Sequence, residues 1–213
     1  MEISIEEALK VARQAQDNND LQQADRIYTT ILKKDPDHFE ANYNLGQMAV
    51  RLNEQTIAFK HLKKALEVNP KLPESWITYI QALAKFEKYS EALNVTQQAV
   101  QYNKNSEIFL NLKNEIEEQS KELLRLVEMD KNKHFNDVIK MHKSGKLLSD
   151  NASIRNIIAT AYSAISKNKI AIDILEGALK RNISNEIILA NLGALYLQEG
   201  LAAKALPKLS ESL

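Results

Sequence analysis

Small residues and prolines recur along this sequence with a fixed spacing of about 34 residues. Ala24, Ala58 and Ala92 share one phase of the period, and Pro36 and Pro70 share another. A chance periodicity of alanine would not bring proline with the same spacing. A fixed period of this length is typical of helix–turn–helix repeats, in which small residues lie where two helices cross closely. The period therefore predicts an all-α fold built from stacked helical hairpins.

The segment 37–70 holds the most complete unit with this period. Its small and apolar residues follow one another at helical spacings and lead to a closing proline: Leu45, Gly46, Ala49, Ala58, Leu62, Ala65 and Pro70. The same phase returns near the carboxyl end, where Ala171 and Ala205 are again one period apart. The pair Leu192-Gly193 there repeats the pair Leu45-Gly46. We therefore expect about six helix–turn–helix units.

The strict period fails in the middle of the chain. The interval from Gly46 to Gly193 is 147 residues, which is four periods of 34 plus 11. Residues 107–129 contain neither glycine nor proline, and their apolar residues recur mostly in steps of three and four. This pattern predicts one long amphipathic helix. Because it holds the extra residues, we expect this helix to form a hinge or bend between two sub-arrays.

Three regions follow from the repeat phase. We expect three units within 1–106, a long connecting helix at 107–130, and a degenerate unit with two further units within 131–213. The last unit is a few residues short of a full period and ends in apolar residues. A solenoid needs a polar outer face on its terminal element, so we expect either that more protein follows or that another subunit covers this edge.

The first unit carries clear signals for the ends of its helices. Ser4 and Glu7 have the spacing of a capping box, which predicts that the first helix begins at about Ile5. A second helix is expected from about 21 to 34. It should end at Asp35, because the residue before a proline is pushed out of the helical region.

Composition excludes several classes of function. The chain has 28 basic and 28 acidic residues, so no general attraction to nucleic acid or anionic lipid is expected. It has no cysteine, which excludes disulfides, zinc–thiolate sites and thiol catalysis. No apolar run approaches the ~20 residues of a membrane span, and the first residues lack the apolar core of a secretory signal. These features predict a cytoplasmic protein that binds neither nucleic acid nor membrane.

The sequence also lacks the residue patterns of an enzyme. Its four histidines, His38, His61, His134 and His142, include no pair with the spacing and carboxylate of a helical zinc-protease motif. It contains no phosphate-binding glycine loop and no serine flanked by the glycines of a nucleophile elbow. We therefore expect no catalytic constellation, no metal and no cofactor in these residues.

One local excess of positive charge lies in the segment 131–146, which is expected to form a short second helix ending near Gly145. Its lysines define a basic patch: Lys131, Lys133, Lys140, Lys143 and Lys146. One interpretation is an ordinary solvated helix face. The other is a docking patch for an acidic partner, and both interpretations remain open. Nucleic acid is disfavoured because only Phe135 offers a nearby ring for stacking.

The pattern of residues 39–72 resembles the tetratricopeptide repeat family, whose units carry Trp, Leu-Gly, Tyr, Ala, an aromatic or leucine, Ala and Pro at fixed places. Trp76 occupies the place of the leading tryptophan in the third unit, where we expect it to pack rather than to stack on a ligand. The resemblance implies a right-handed α-solenoid that binds other proteins. More finely, the chain looks like the N-terminal repeat arrays of bacterial proteins that precede a sulfotransferase or glycosyltransferase domain.

In this family the first helices of successive units line a concave groove for peptides. The resemblance places polar side chains of the second and third units in that groove: Glu40, Tyr43, Asn44, Gln47, Val50 and Arg51, then Glu74, Ile77, Thr78, Gln81, Ala84 and Lys85. Asn44 and Asn191 stand where the glycosyltransferase relatives carry an asparagine ladder, which Thr78 and Ile157 interrupt. Amide side chains suit a peptide ligand because each offers a donor and an acceptor.

Three hypotheses about function follow. The first is a protein-interaction module that binds a protein or peptide partner in the concave groove. The second is a substrate-recruiting arm of a larger transferase whose catalytic domain lies beyond Leu213. The third is a self-assembly module in which the final helix, with Leu206, Leu209 and Leu213, pairs between copies.

Overall fold

The computed structural model describes residues 3–103, 106–183 and 185–212, so Leu213 lies outside the described residues. Within those ranges the chain forms α-helices and no β-strand. The helices follow one another in six consecutive pairs: α1 (Ile5–Asp17) and α2 (Leu21–Lys34), α3 (Phe39–Arg51) and α4 (Gln55–Val68), α5 (Pro73–Lys85) and α6 (Tyr89–Tyr102), α7 (Glu107–Lys131) and α8 (Phe135–Lys143), α9 (Ala152–Ala164) and α10 (Asn168–Lys180), α11 (Glu186–Gln198) and α12 (Ala202–Glu211). The all-α prediction and the expected number of about six units are confirmed.

The helix ends predicted for the first unit are confirmed. Ser4 Oγ accepts a hydrogen bond from the Glu7 backbone N–H at 3.1 Å, and the Glu7 carboxylate accepts one from the Ser4 N–H at 2.9 Å. This reciprocal pair satisfies two amide groups that a helix start otherwise leaves unpaired. The first helices of later units use other side-chain caps, such as the Oδ1 atoms of Asn151 and Asn185, which each accept a backbone N–H at 2.9 Å.

Each helical hairpin is joined by a turn that contains one residue with left-handed backbone geometry. Those residues, with φ between 58° and 74°, are Asn19, Asn53, Glu87, Lys133, Ser166 and Gly200. The residue after each one donates its N–H to the carbonyl five positions back, at 2.8 to 2.9 Å. This bond is the 6→1 contact of a Schellman turn, which pairs a carbonyl at the end of the first helix. The same turn therefore reverses the chain in all six hairpins.

Glycine lies where the two helices of a hairpin approach most closely. A Cβ atom built on Gly46 would lie 2.6 Å from Leu62 Cγ, and one built on Gly193 would lie 2.6 Å from Leu209 Cγ. The alanines that define the sequence period are fully buried: Ala24, Ala58, Ala92, Ala171 and Ala205. The predicted role of small residues at helix crossings is therefore confirmed.

The chain divides into two compact units, which we call unit 1 (1–114) and unit 2 (115–213). The division falls inside α7, the long helix predicted at 107–129 and found at Glu107–Lys131. Unit 1 has a core around the first two hairpins, in which Tyr28 is the largest fully buried side chain. Unit 2 has a larger core whose fully buried centre includes Ile158, Leu175 and Leu192.

Two buried polar side chains in unit 1 hold the proline-containing connections between hairpins. Asn42 Nδ2 donates to the carbonyl oxygen of Pro36 at 3.0 Å. Trp76 Nε1 donates to the carbonyl oxygen of Pro70 at 2.8 Å. Asn42 and Trp76 are one repeat period apart, and so are the two prolines. An amide and an indole thus perform the same task in successive units, and Trp76, with only 3% of its surface exposed, packs as expected.

The contact between Asn42 and His61 predicts a pH-dependent stability. The amide of Asn42 donates to two carbonyls, so its Oδ1 accepts from His61 Nδ1 at 2.9 Å. Burial, and then the charge of Lys60, lowers the pKa of His61 below its usual 6.5, although Asp25 opposes this shift. The unfolded chain therefore binds a proton at a higher pH than the folded chain does, and stability is lost as pH falls below about 6.5.

We expect the urea midpoint to fall between pH 7.5 and pH 5.5, and to fall less in the variant His61→Gln. His142, whose pKa is also lowered, chiefly by burial, contributes in the same direction. An unchanged pH dependence in a variant with both histidines replaced by glutamine would contradict this assignment.

Candidate peptide-binding groove

The polar positions predicted to line a groove in unit 1 lie on the first helices α3 and α5, and the first helix α1 lies beside α3. An ion pair joins α1 to α3, in which Arg13 Nε lies 2.8 Å from Glu40 Oε1. Both side chains are partly exposed, so the pair contributes little to stability. The ion pair does neutralise the negative charge of the Glu40 carboxylate at one end of this surface. We call the surface formed by α1, α3 and α5 the concave wall, because the resemblance to the repeat family implies that first helices line the concave side.

Two contacts join α3 to α5 along the concave wall. The hydroxyl groups of Tyr43 and Thr78 share a hydrogen bond of 2.9 Å. Two helical turns further on, Lys85 Nζ donates to the carbonyl oxygen of Val50. Burial lowers the pKa of Lys85, although its side chain remains partly open to solvent. These contacts bring four of the predicted positions together and fix the spacing of the two helices.

Gln47 and Gln81 lie between those two contacts, at equivalent places on α3 and α5. They are one repeat period apart in the sequence. Gln47 is half-buried and Gln81 is exposed. In the ranges that the structure describes, neither side chain has a hydrogen-bond partner. Both amides are therefore available to a ligand.

Other predicted groove residues are engaged within the protein. Asn44 Nδ2 donates to the hydroxyl of Tyr28 at 3.0 Å, and that hydroxyl donates to Gln16 Oε1 at 3.3 Å. Arg51 Nη2 lies 3.4 Å from Asn19 Oδ1 in the neighbouring hairpin turn. The sequence pattern placed these residues on the wall but carried no sign that their polar groups bind each other.

Unit 2 has a groove of its own between α9 and α11. It has a volume of about 280 Å³ and is lined mostly by small and polar side chains: Ala159, Thr160, Ser163, Ala164, Asn191, Ala194, Leu195 and Gln198. Asn191 Nδ2 donates to Asn156 Oδ1 at 3.2 Å, so the predicted ladder position is again engaged with a neighbouring first helix. Ile157, which interrupts the ladder, is buried. Small side chains on two facing helices leave space for a ligand's backbone.

The basic patch does not lie on one helix, because the helix predicted for 131–146 is shorter than expected. Lys131 is the last residue of α7, and Lys133 occupies the left-handed turn. Lys140 and Lys143 belong to α8, and Lys146 follows Gly145, whose φ of 65° ends that helix. The left-handed turn at Lys133 is what shortens the helix. The patch as a docking surface for an acidic partner stays a prediction.

The described residues show no grouping of three or more His, Asp or Glu side chains that could hold a metal ion. None of the described helices is long and apolar enough to cross a membrane.

The sequence of residues 9–75 matches the model of the tetratricopeptide repeat family. That segment is similar to tetratricopeptide repeats. The match begins inside α1, covers α2, α3 and α4, and ends in the first turn of α5, before Thr78 and Gln81. No curated protein sequence matches the chain.

Solved structures with tetratricopeptide repeats share the fold. The tetratricopeptide repeat domain of P58(IPK) is 16% identical, with a TM-score of 0.56, and the match covers 98% of this chain and 59% of that one. A tetratricopeptide repeat protein from Parabacteroides merdae is also 16% identical, with a TM-score of 0.50, and the match covers 98% of this chain and 77% of that one. The predicted fold class, an all-α solenoid of tetratricopeptide repeats, is confirmed.

Two of the sequence-based hypotheses stay predictions. The likeness to arrays that precede a transferase is tested by reading the coding sequence beyond residue 213. A catalytic domain there would support it, and a stop codon would contradict it. Self-assembly through the final helix is consistent with Leu206, which is 67% exposed on α12. Light scattering over a range of concentrations tests that hypothesis, because a monomer throughout would contradict it.

Proposed function

We propose that this tetratricopeptide repeat protein is an interaction module whose concave wall binds an extended segment of a partner protein. The observation that supports the proposal most directly is the pair of unpartnered amides, Gln47 and Gln81. Each amide can donate to a carbonyl and accept from an N–H of a ligand's backbone. An extended segment presents both groups along its edge, so two amides on adjacent helices can bind consecutive residues.

The contacts around the two amides favour a wall that is ready for binding. The Tyr43–Thr78 hydrogen bond holds α3 against α5 on one side, and the contact of Lys85 with the Val50 carbonyl holds them on the other. Because the helices are already fixed, a ligand need not order them. Pre-organisation of this kind raises affinity by reducing the entropy lost on binding.

The binding test compares two glutamine variants of the full chain. Gln47→Ala/Gln81→Ala removes both free amides, and Gln97→Ala removes an exposed glutamine from the outer helix α6. Partners captured by the wild-type chain are identified by mass spectrometry and reduced to the shortest binding peptide. The affinity of that peptide is then measured by calorimetry.

We expect the double variant to bind the peptide about tenfold more weakly, because each lost hydrogen bond is worth about 0.5–1.5 kcal/mol. Gln97→Ala should bind as the wild type does. N-methylation of one backbone amide in the peptide should weaken binding to the wild type and have less effect with the double variant. A partner held equally well by both variants would contradict the proposal.

A further inference from the structure

A second cleft lies in unit 1 on the side of α5 that faces the outer helices α4 and α6. It has a volume of about 500 Å³. Aromatic and charged side chains from all three helices line it, among them Lys63, Glu67, Trp76, Tyr79, Glu91 and Tyr102. We call it the aromatic cleft. Thr78 and Gln81, which belong to the concave wall, lie on a different face of α5, so the two surfaces are separate.

The aromatic rings that line the aromatic cleft contact other rings of the protein. The rings of Trp76 and Tyr102 lie 5.3 Å apart between centroids and are tilted by 32°. Tyr79 is held from behind by Phe59 in an edge-to-face contact at 6.1 Å. Tyr102 nevertheless has 62% of its surface exposed. A large ring that stacks on a buried tryptophan and still faces solvent offers a flat surface to a ligand.

Two carboxylates flank the rings. In the part of the chain that the structure describes, neither Glu67 nor Glu91 forms an ion pair. Both lie close enough to Tyr79 to raise the pKa of its hydroxyl, after the larger effect of burial. Lys63 is the one basic residue among the described residues that line the cleft, and Lys64, which lies near Glu67, is paired with Asp37 at 2.6 Å. The cleft therefore carries a net negative charge beside its aromatic surface.

We propose that the aromatic cleft binds a lysine or arginine side chain from an extended segment of a partner protein. The cation would lie over the face of Tyr102 or Tyr79, where the ring quadrupole attracts it, within reach of the two carboxylates. The methylene groups of the same side chain would pack on the rings, as long basic side chains do on apolar surface. Charge complementarity therefore identifies a basic occupant and disfavours an acidic one.

The single tryptophan of the chain allows a direct test. Trp76 belongs to the cleft, so its fluorescence reports on ligands there without a label. The probe is the peptide acetyl-(Gly-Lys-Gly-Ser)2-amide, which has no aromatic residue. The matched peptide with glutamine in place of each lysine controls for contacts that do not depend on charge.

We expect a saturable change in Trp76 emission with the lysine peptide and none with the glutamine peptide. In Glu67→Gln/Glu91→Gln the dissociation constant should rise by about tenfold, since two nearby opposite charges are lost. In Glu6→Gln, which removes an exposed carboxylate from α1, the constant should be unchanged. Tyr102→Ala should also weaken binding. Circular dichroism of each variant should give the wild-type helical spectrum, so that a loss of binding is not a loss of folding.

The proposal is overturned if no saturable change occurs, if the glutamine peptide gives the same response, or if Glu6→Gln weakens binding as much as the cleft variant does. The Gln47→Ala/Gln81→Ala variant should titrate as the wild type does. That result separates the aromatic cleft from the concave wall, so either proposal can fail without the other.

Discussion

Replacement of Tyr28 by alanine is expected to lower the free energy of unfolding by about 3–5 kcal/mol, the range found for buried aromatic residues. Tyr28 is fully buried in α2, in the core of unit 1. Truncation to alanine would leave a cavity between the first two hairpins. It would also remove the hydroxyl that links Asn44 of α3 to Gln16 of α1. Urea unfolding followed by circular dichroism measures the change.

The variant Tyr28→Phe separates the two effects. It keeps the ring and removes the hydroxyl, so Asn44 Nδ2 and Gln16 Oε1 each lose a partner. We expect a smaller loss of about 0.5–1.5 kcal/mol, the range for a hydrogen bond, because Asn44 and Gln16 are only half-buried and water can reach them. Burial, and then the charge of Glu40, raises the pKa of Tyr28 to about 12, so the hydroxyl stays protonated at neutral pH. If the phenylalanine variant were as unstable as the alanine variant, packing of the ring would not be the main contribution.

Replacement of Gly46 by alanine is expected to destabilise the protein by about 1–3 kcal/mol, although alanine is the better helix former. The new Cβ atom would lie 2.6 Å from Leu62 Cγ and 3.0 Å from the Leu62 backbone nitrogen. Leu62 must therefore change its rotamer, or α3 and α4 must move apart. We expect the same sign for Gly193→Ala, where the atom in the way is Leu209 Cγ at 2.6 Å.

Gly177→Ala is the matched control for these glycine variants. Gly177 also lies inside a helix, but the nearest atom to its added Cβ would be an Arg181 Nη2 atom at 4.0 Å. Because the added Cβ meets no close atom, only the higher helix propensity of alanine acts here. The substitution should stabilise the protein by up to about 1 kcal/mol. Thermal melts of the three variants would show opposite shifts. A stabilising effect of Gly46→Ala would mean that the two helices of the hairpin do not approach as closely as the structure shows.

The turns of the hairpins illustrate what a sequence pattern leaves out. Asn53 and Gly200 are residue types that favour left-handed geometry, and a turn could be expected at either. Glu87 and Lys133 adopt the same geometry with no such preference. Packing of the two flanking helices imposes the turn there, so the type of the turn residue does not predict it. This is also why the short helix α8 begins later than the sequence suggested.

The candidate groove also shows the difference between what the sequence predicts and what tertiary packing decides. The resemblance placed Asn44 and Gln47 alike on the wall, but Asn44 binds Tyr28 of the preceding hairpin, whereas Gln47 has no partner among the described residues. The aromatic cleft gave no sequence signal beyond Trp76, because its lining comes from three helices and its carboxylates matter only through their position beside Tyr79.

The sequence alone determined the all-α class, the repeat period, the places of small residues and the extra length of α7. These properties depend on contacts between residues three or four apart and on repetition, both of which can be read along a chain. The tertiary structure decided which polar groups are satisfied and which remain open to a ligand. A hydrogen bond such as Tyr43 to Thr78 joins side chains 35 residues apart. Only the packing of one hairpin on the next brings such groups together.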